Sequence, residues 1–104
     1  MPEVQTENRF SQALMHLLPE DISSVQRALV SLSKDPFSAS LQTHRLKGAD
    51  DFYVLRASDR LRIIYRIERR QEGENSTSLV IVAEDIIPRE ALRQYLPGDN
   101  DEAF

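Results

Sequence analysis

Arginine is the residue whose placement in this chain could do chemistry. Around Asp59 the sequence turns to strict alternation, with Leu61, Ile63, Tyr65 and Ile67 on one side and Arg60, Arg62, Ile64 and Arg66 on the other. Just upstream, Leu46-Lys47-Gly48 and Phe52-Tyr53-Val54-Leu55-Arg56 supply the preceding turn and strand, so the segment reads as a hairpin with one apolar face and one cationic face. A guanidinium is planar and permanently charged, and it presents a fork of N–H donors. Several on one face suit bidentate contact with phosphate or carboxylate. Arg89 adds to this set: it falls in the first turn of an expected helix, where the backbone dipole disfavours a cation and a bound anion would compensate. For Arg62 and Arg66 a plainer reading stays open, a solvated face paired with Asp59 or Glu68.

Charge along the chain concentrates this signal. The 104 residues carry a net charge of −4, which argues against a surface that attracts nucleic acid everywhere. Residues 43–70, however, hold eight cations against four acids, a balance of +4, and seven of those cations are arginine. Residues 1–42 balance at −2 and residues 71–104 at −6. The cationic surface is local.

The length fits one domain with a single core of two packed layers. An apolar content of 40% is that of a folded chain. With no cysteine there is no disulfide framework, thiolate zinc site or cysteine nucleophile. Asp50-Asp51 and Glu84-Asp85 are neighbours that on a strand point to opposite faces, so neither pair converges on one ion; no metal and no cofactor are expected. No cationic start followed by an apolar run opens the chain and no segment approaches a membrane span, which points to the cytoplasm and away from membranes.

The elements that must position the arginines follow from periodicity. Phe10, Ala13, Leu14, Leu17 and Leu18 form one helical stripe, with Thr6 or Asn8 as N-cap. Pro19 restarts a second helix, with Glu20 and Asp21 at its positive end; Ile22, Val25, Leu29 and Leu32 are its buried side and Asp35-Pro36 its stop. Both stripes need a sheet to cover them. The hairpin and a short strand at Leu79–Ala83 provide it, separated by a polar loop from Arg69 to Ser78. Pro88 is expected to open a last helix reaching Tyr95. The fold class is α+β: two N-terminal helices on a small antiparallel sheet, then a short C-terminal helix. Residues 1–97 make the domain, and 98–104 an acidic tail expected to be disordered.

Two helices, a Leu-x-Gly turn, a tyrosine-bearing strand, a hairpin closing on Arg62-Ile63-Ile64-Tyr65, a further strand, and Arg89 six residues before Tyr95 together resemble the RelE/ParE superfamily of bacterial toxins, over roughly residues 8–95. The resemblance implies the toxin of a type II toxin–antitoxin system with a cognate antitoxin as partner. RelE-like members cut messenger RNA on the ribosome without metal, whereas ParE-like members poison DNA gyrase; an inactive binding module of the same fold is the further alternative. On the RelE-like branch the resemblance implies that Arg62, Arg89 and Tyr95 are catalytic, and Arg56, Lys47 and Arg60 complete the substrate-binding set. Cleavage by the 2′-hydroxyl needs a proton acceptor, a proton for the leaving 5′-oxygen, and fixed positive charge at the phosphorane. Arg62 and Arg89 would give that charge, and Tyr95 would stack on a base or orient a phosphate. RelE-like members usually carry two lysines on the strand before the hairpin, and Phe52-Tyr53-Val54-Leu55 has none. Arg56, Lys47 or His44 are the substitutes available, His44, in an expected loop, as acid or base. His16 lies beside the first apolar stripe and has no role.

Overall fold

The computed structural model describes residues 2–46 and 52–94. The chain runs β1 (Glu3–Thr6), α1 (Asn8–Met15), α2 (Pro19–Lys34), β2 (Thr43–Arg45), β3 (Phe52–Arg56), β4 (Leu61–Gly73), β5 (Ser76–Pro88) and a 3-10 turn (Arg89–Gln94). The strands form one five-stranded sheet in the order β1-β5-β4-β3-β2. All neighbours are antiparallel except β1, which lies parallel to β5. The fold is α+β as expected, with a mixed sheet.

The helical hairpin covers one face. Phe10 of α1 and Val25 and Leu32 of α2 are buried against Leu55, Ile63, Tyr65, Ile81, Ala83 and Ile86. Leu61, Ile63, Tyr65 and Ile67 of β4 all belong to that side, as the alternation requires. Pro19 occupies the first turn of α2, where its missing N–H removes nothing, and Glu20 and Asp21 sit beside it at the positive end of the dipole. The N-cap position of α1 is Glu7 rather than Thr6 or Asn8, and no side chain caps it. Tyr53 and Tyr65, directly opposite on β3 and β4, stack with ring centroids 5.5 Å apart. Burial pushes the Tyr65 hydroxyl up to about 12, so it holds its proton throughout the physiological range.

On the opposite face a smaller cluster packs Leu46, Val54, Ile64, Ile87 and Leu92. Leu92 comes from the 3-10 turn, which therefore folds back over the end of β4 and β5.

Four local expectations are corrected. The first element is a strand, β1, whose four residues are too few to show a period; it is held by β5, with Val4 opposite Ile81. Residues 69–78 are not a loop: β4 and β5 continue as a long hairpin to a turn at Glu74-Asn75, their polar side chains standing on exposed strand. His44 lies on a strand, β2, and not in a loop. Pro88 ends β5 opposite Leu61 instead of opening an α-helix. It is tolerated because β1 pairs only with Val80–Ala83, so that among the described residues no strand on that side would receive an N–H from position 88. The C-terminal element is a 3-10 turn, Arg89–Gln94.

One irregularity aims the chain. Between the pairs Ile64–Asp85 and Tyr65–Ala83, Glu84 is an extra residue on β5, a β-bulge. Before it Ile81 and Ala83 face the helices; after it Ile86 does, and Ile87 turns to the second face. A bulge resets the phase of every residue beyond it. Here it sends the end of β5, and Arg89 two residues past Ile87, toward the face that carries Arg62.

Candidate functional site: an arginine cluster at one end of the sheet

Arg56 and Arg62 stand directly opposite each other on β3 and β4, and Ile87 flanks Arg62 on β5. Directly opposed residues hold their Cβ atoms about 4.5–5.5 Å apart, and like charges in that relation destabilise a sheet. Arg89 joins them: its backbone N–H donates to the Arg60 carbonyl at 2.8 Å, fastening the end of β5 to the start of β4. The Arg62 guanidinium is held below its ordinary value chiefly by burial, then by the charges of Arg56 and Arg89, with Asp59 partly offsetting them. Arg56 and Arg89 thus both repel the Arg62 guanidinium.

They are not equivalent. Arg62 is only 1% exposed. Its Nη1 donates to the carbonyl oxygens of Ser58 at 2.7 Å and Leu61 at 3.0 Å, and more weakly to Asp59 at 3.4 Å, so it clamps the β3–β4 turn from within. Arg56 and Arg89 are at the surface. Arg56 donates to Gln42 Oε1 at 3.1 Å and pairs with the Asp59 carboxylate. A buried permanent cation behind two exposed ones makes a surface at which an anion would relieve repulsion.

The other candidates lie elsewhere. Arg60 points to the helix side, its Nη2 3.7 Å from Asp21 Oδ1 of α2, and is outside the cluster. Lys47 and Tyr95 fall outside the described residues. His44, which the sequence leaves as one of three substitutes, is placed well: it pairs with Val54, two residues from Arg56 on the same face of β3. Such diagonal neighbours are about 7–8 Å apart, within reach of a shared substrate. A three-residue strand at a sheet edge has too little sequence to reveal its face, and only the pairing with β3 does so.

The far end of the same face shows what a purely structural arginine looks like. Arg66 is surrounded by Glu84 at 2.5 Å, Glu68, and Glu7 at 3.8 Å, and Arg70 donates to Glu68 at 3.1 Å. The solvated-face reading holds for Arg66. The hydrogen bonds from Arg66 and then Arg70 hold the Glu68 carboxyl below its ordinary 4.5. A carboxylate with a lowered folded value stabilises the protein above its unfolded value, and that contribution is lost as pH falls through the folded one. Glu68→Gln is therefore expected to flatten the fall of the thermal midpoint below about pH 4.5; an unchanged acid limb would show that Glu68 is not a source of that fall.

Among the described residues no group of three His, Asp or Glu side chains is arranged to hold a metal ion. No helix among them is long and apolar enough to cross a membrane.

No family model and no curated protein matches this chain. Its architecture is nevertheless shared with solved structures. It is similar to a chain of the RelB-RelE antitoxin-toxin complex from Methanococcus jannaschii, with a TM-score of 0.62 and 14% identity over 89% of this chain and 99% of that one. The YoeB/ParE toxin from Agrobacterium tumefaciens superposes with a TM-score of 0.65 at 12% identity, covering 83% of this chain and 97% of the other. A chain of the archaeal RelE-RelB complex from Pyrococcus horikoshii gives 0.62 at 20% identity, covering 85% and 94%. The fold is that of the RelE/ParE toxins.

Proposed function

We propose that this chain is the toxin of a type II toxin–antitoxin pair, working in the cytoplasm as a metal-independent endoribonuclease on ribosome-bound messenger RNA. The observation that carries the reading is the gathering of three cations: Arg56 and Arg62 are paired across β3 and β4, and Arg89 adds its charge to theirs at Arg62. A backbone phosphate lying on Arg56 and Arg89 receives two forks of donors, and its charge grows as the 2′-oxygen attacks. Arg62 does not touch it. It is a positioning residue that fixes the turn carrying Asp59, the ion-pair partner of Arg56, and adds a buried positive charge behind both.

Arginine cannot accept the proton of the 2′-hydroxyl at neutral pH. His44, on the same face as Arg56, takes it. The 2′-oxygen then forms its bond to phosphorus, the bond from phosphorus to the 5′-oxygen breaks, the leaving oxygen takes a proton from water, and the His44 imidazolium returns its proton to the hydroxide that remains. The products are a 2′,3′-cyclic phosphate and a 5′-hydroxyl. Tyr95 keeps the role the resemblance gives it, orienting the base or phosphate, and Lys47 remains a substrate-binding candidate. The partner is a cognate antitoxin, in keeping with RelB-RelE complexes among the similar folds.

Induced expression in a bacterial host tests the reading: growth should stop, with transcripts cut within translated regions and ending in cyclic phosphate. Growth arrest with intact transcripts and broken DNA would replace it by gyrase poisoning, and harmless expression at high level would remove the toxin role.

A further inference from the structure

We propose that a groove between α2 and the end of β3 is a second RNA-backbone subsite, one that takes the phosphate and sugar of a nucleotide flanking the cleaved bond. The inference rests on the proposed ribonuclease function and extends its surface. The groove is shallow and open to solvent, with a volume of about 310 Å³. On α2, Ser24, Arg27, Ala28 and Ser31 fall at i, i+3, i+4 and i+7, a second stripe of helical period that faces the groove while Val25 and Leu32 face the core. Gln42 and Arg56 close the opposite side.

Three features select a nucleic-acid strand as occupant. None of the residues lining the groove is acidic, in a chain whose net charge is −4, and two are arginines. Arg56 lines the groove and also acts by its charge on Arg62, so the groove and the arginine cluster share one residue at the end of β3. The serine hydroxyls and the Gln42 amide supply donors and acceptors for phosphate and ribose, and Leu55 with Ala28 an apolar floor for a sugar or base. Arg27 is exposed, so its replacement should leave the core untouched.

The test uses a short fluorescein-labelled RNA, 2′-O-methylated throughout so that it cannot be cut, titrated with the whole protein over a range of salt concentrations. Arg27→Ala is expected to reduce the slope of log affinity against log salt by about 0.7, the value of one lost single-strand phosphate contact, and to weaken binding several-fold. Arg27→Lys should keep most of the slope, and Arg9→Ala, on the exposed side of α1, should match the wild type. Wild-type slope and affinity in Arg27→Ala would overturn the subsite while leaving the ribonuclease reading standing. Failure of the wild type itself to bind RNA would overturn the subsite, while the ribonuclease reading stands or falls separately on the cut transcripts of the expression test. If polyglutamate binding responds to Arg27→Ala and RNA binding does not, the groove takes an acidic peptide and the proposal is overturned.

Discussion

Arg89→Gln is expected to lower the rate of RNA cleavage about 10²–10³-fold, the usual consequence of removing one preorganised donor from a developing oxyanion. At the same time it should not destabilise the protein. Arg89 is exposed, and its charge repels Arg62 and adds to the repulsion already set up by Arg56. Removing one like charge at a surface is worth a few tenths of a kcal/mol, which in a domain of this size raises the thermal midpoint by about 1–4 °C. The two effects have opposite signs, and that separates function from folding. A residue retained for structure loses stability when it is removed; a residue retained for an anion loses activity and relaxes the fold. A drop in midpoint together with a drop in rate would mean that Arg89 is structural.

His44→Ala carries the other large effect, a loss of about 10²–10⁴-fold in cleavage, the range for a positioned acid or base. Affinity for the uncleavable RNA should change little, because Arg56 and Arg89 remain in place. The decisive control is chemical rescue. If the imidazole takes the proton of the 2′-hydroxyl, free imidazole added to His44→Ala should restore part of the rate, and it should do nothing for Arg89→Gln. Val54, opposite His44, and Ile64 beyond it are fully buried and pack on the same face, so the substituted site keeps its walls. A variant that cleaves normally, or one that loses activity without rescue, would take proton transfer away from His44. Tyr65 cannot replace it, since it lies on the helix side with its hydroxyl pushed up to about 12.

Much of this molecule can be read from the order of its residues, and the boundary is physical. The helices are legible because apolar side chains recur every three or four residues and Pro19 separates the two runs. The hairpin is legible because Leu61, Ile63, Tyr65 and Ile67 alternate with arginines. What is hidden depends on partners distant in the chain. β1 and β2 are four and three residues long, and each becomes a strand only because β5 or β3 offers it an edge. The outer half of the β4–β5 hairpin is polar because it is exposed on both faces, so it resembles a loop in composition.

The site divides in the same way. Arg56, Arg62 and Arg89 can be named from spacing, but their unequal roles cannot. That Arg62 is the buried one follows from the turn carbonyls folding over it. That Arg89 meets it at all follows from the bulge at Glu84, which shifts the end of β5 by one residue and has no signature of its own in the sequence. Arg60 and Arg66 look equivalent to the others along the strand, yet Asp21 draws one to the helix side and three glutamates surround the other. Arg27 gives no signal by position, since its stripe on α2 becomes a wall only when β3 and the segment before β2 close the groove.

The claim on which all of this depends is that Arg56 and Arg89, with Arg62 buried behind them, are gathered to receive one anionic group. Calorimetric titration of the uncleavable RNA into the wild type and into Arg89→Gln tests it most directly. Charge-assisted contacts of this kind are worth about 1.5–3 kcal/mol, so affinity should fall about 10–150-fold in the variant, with a correspondingly smaller rise of the thermal midpoint on RNA addition. Equal affinities in the two proteins would contradict the claim and leave the cluster without a ligand.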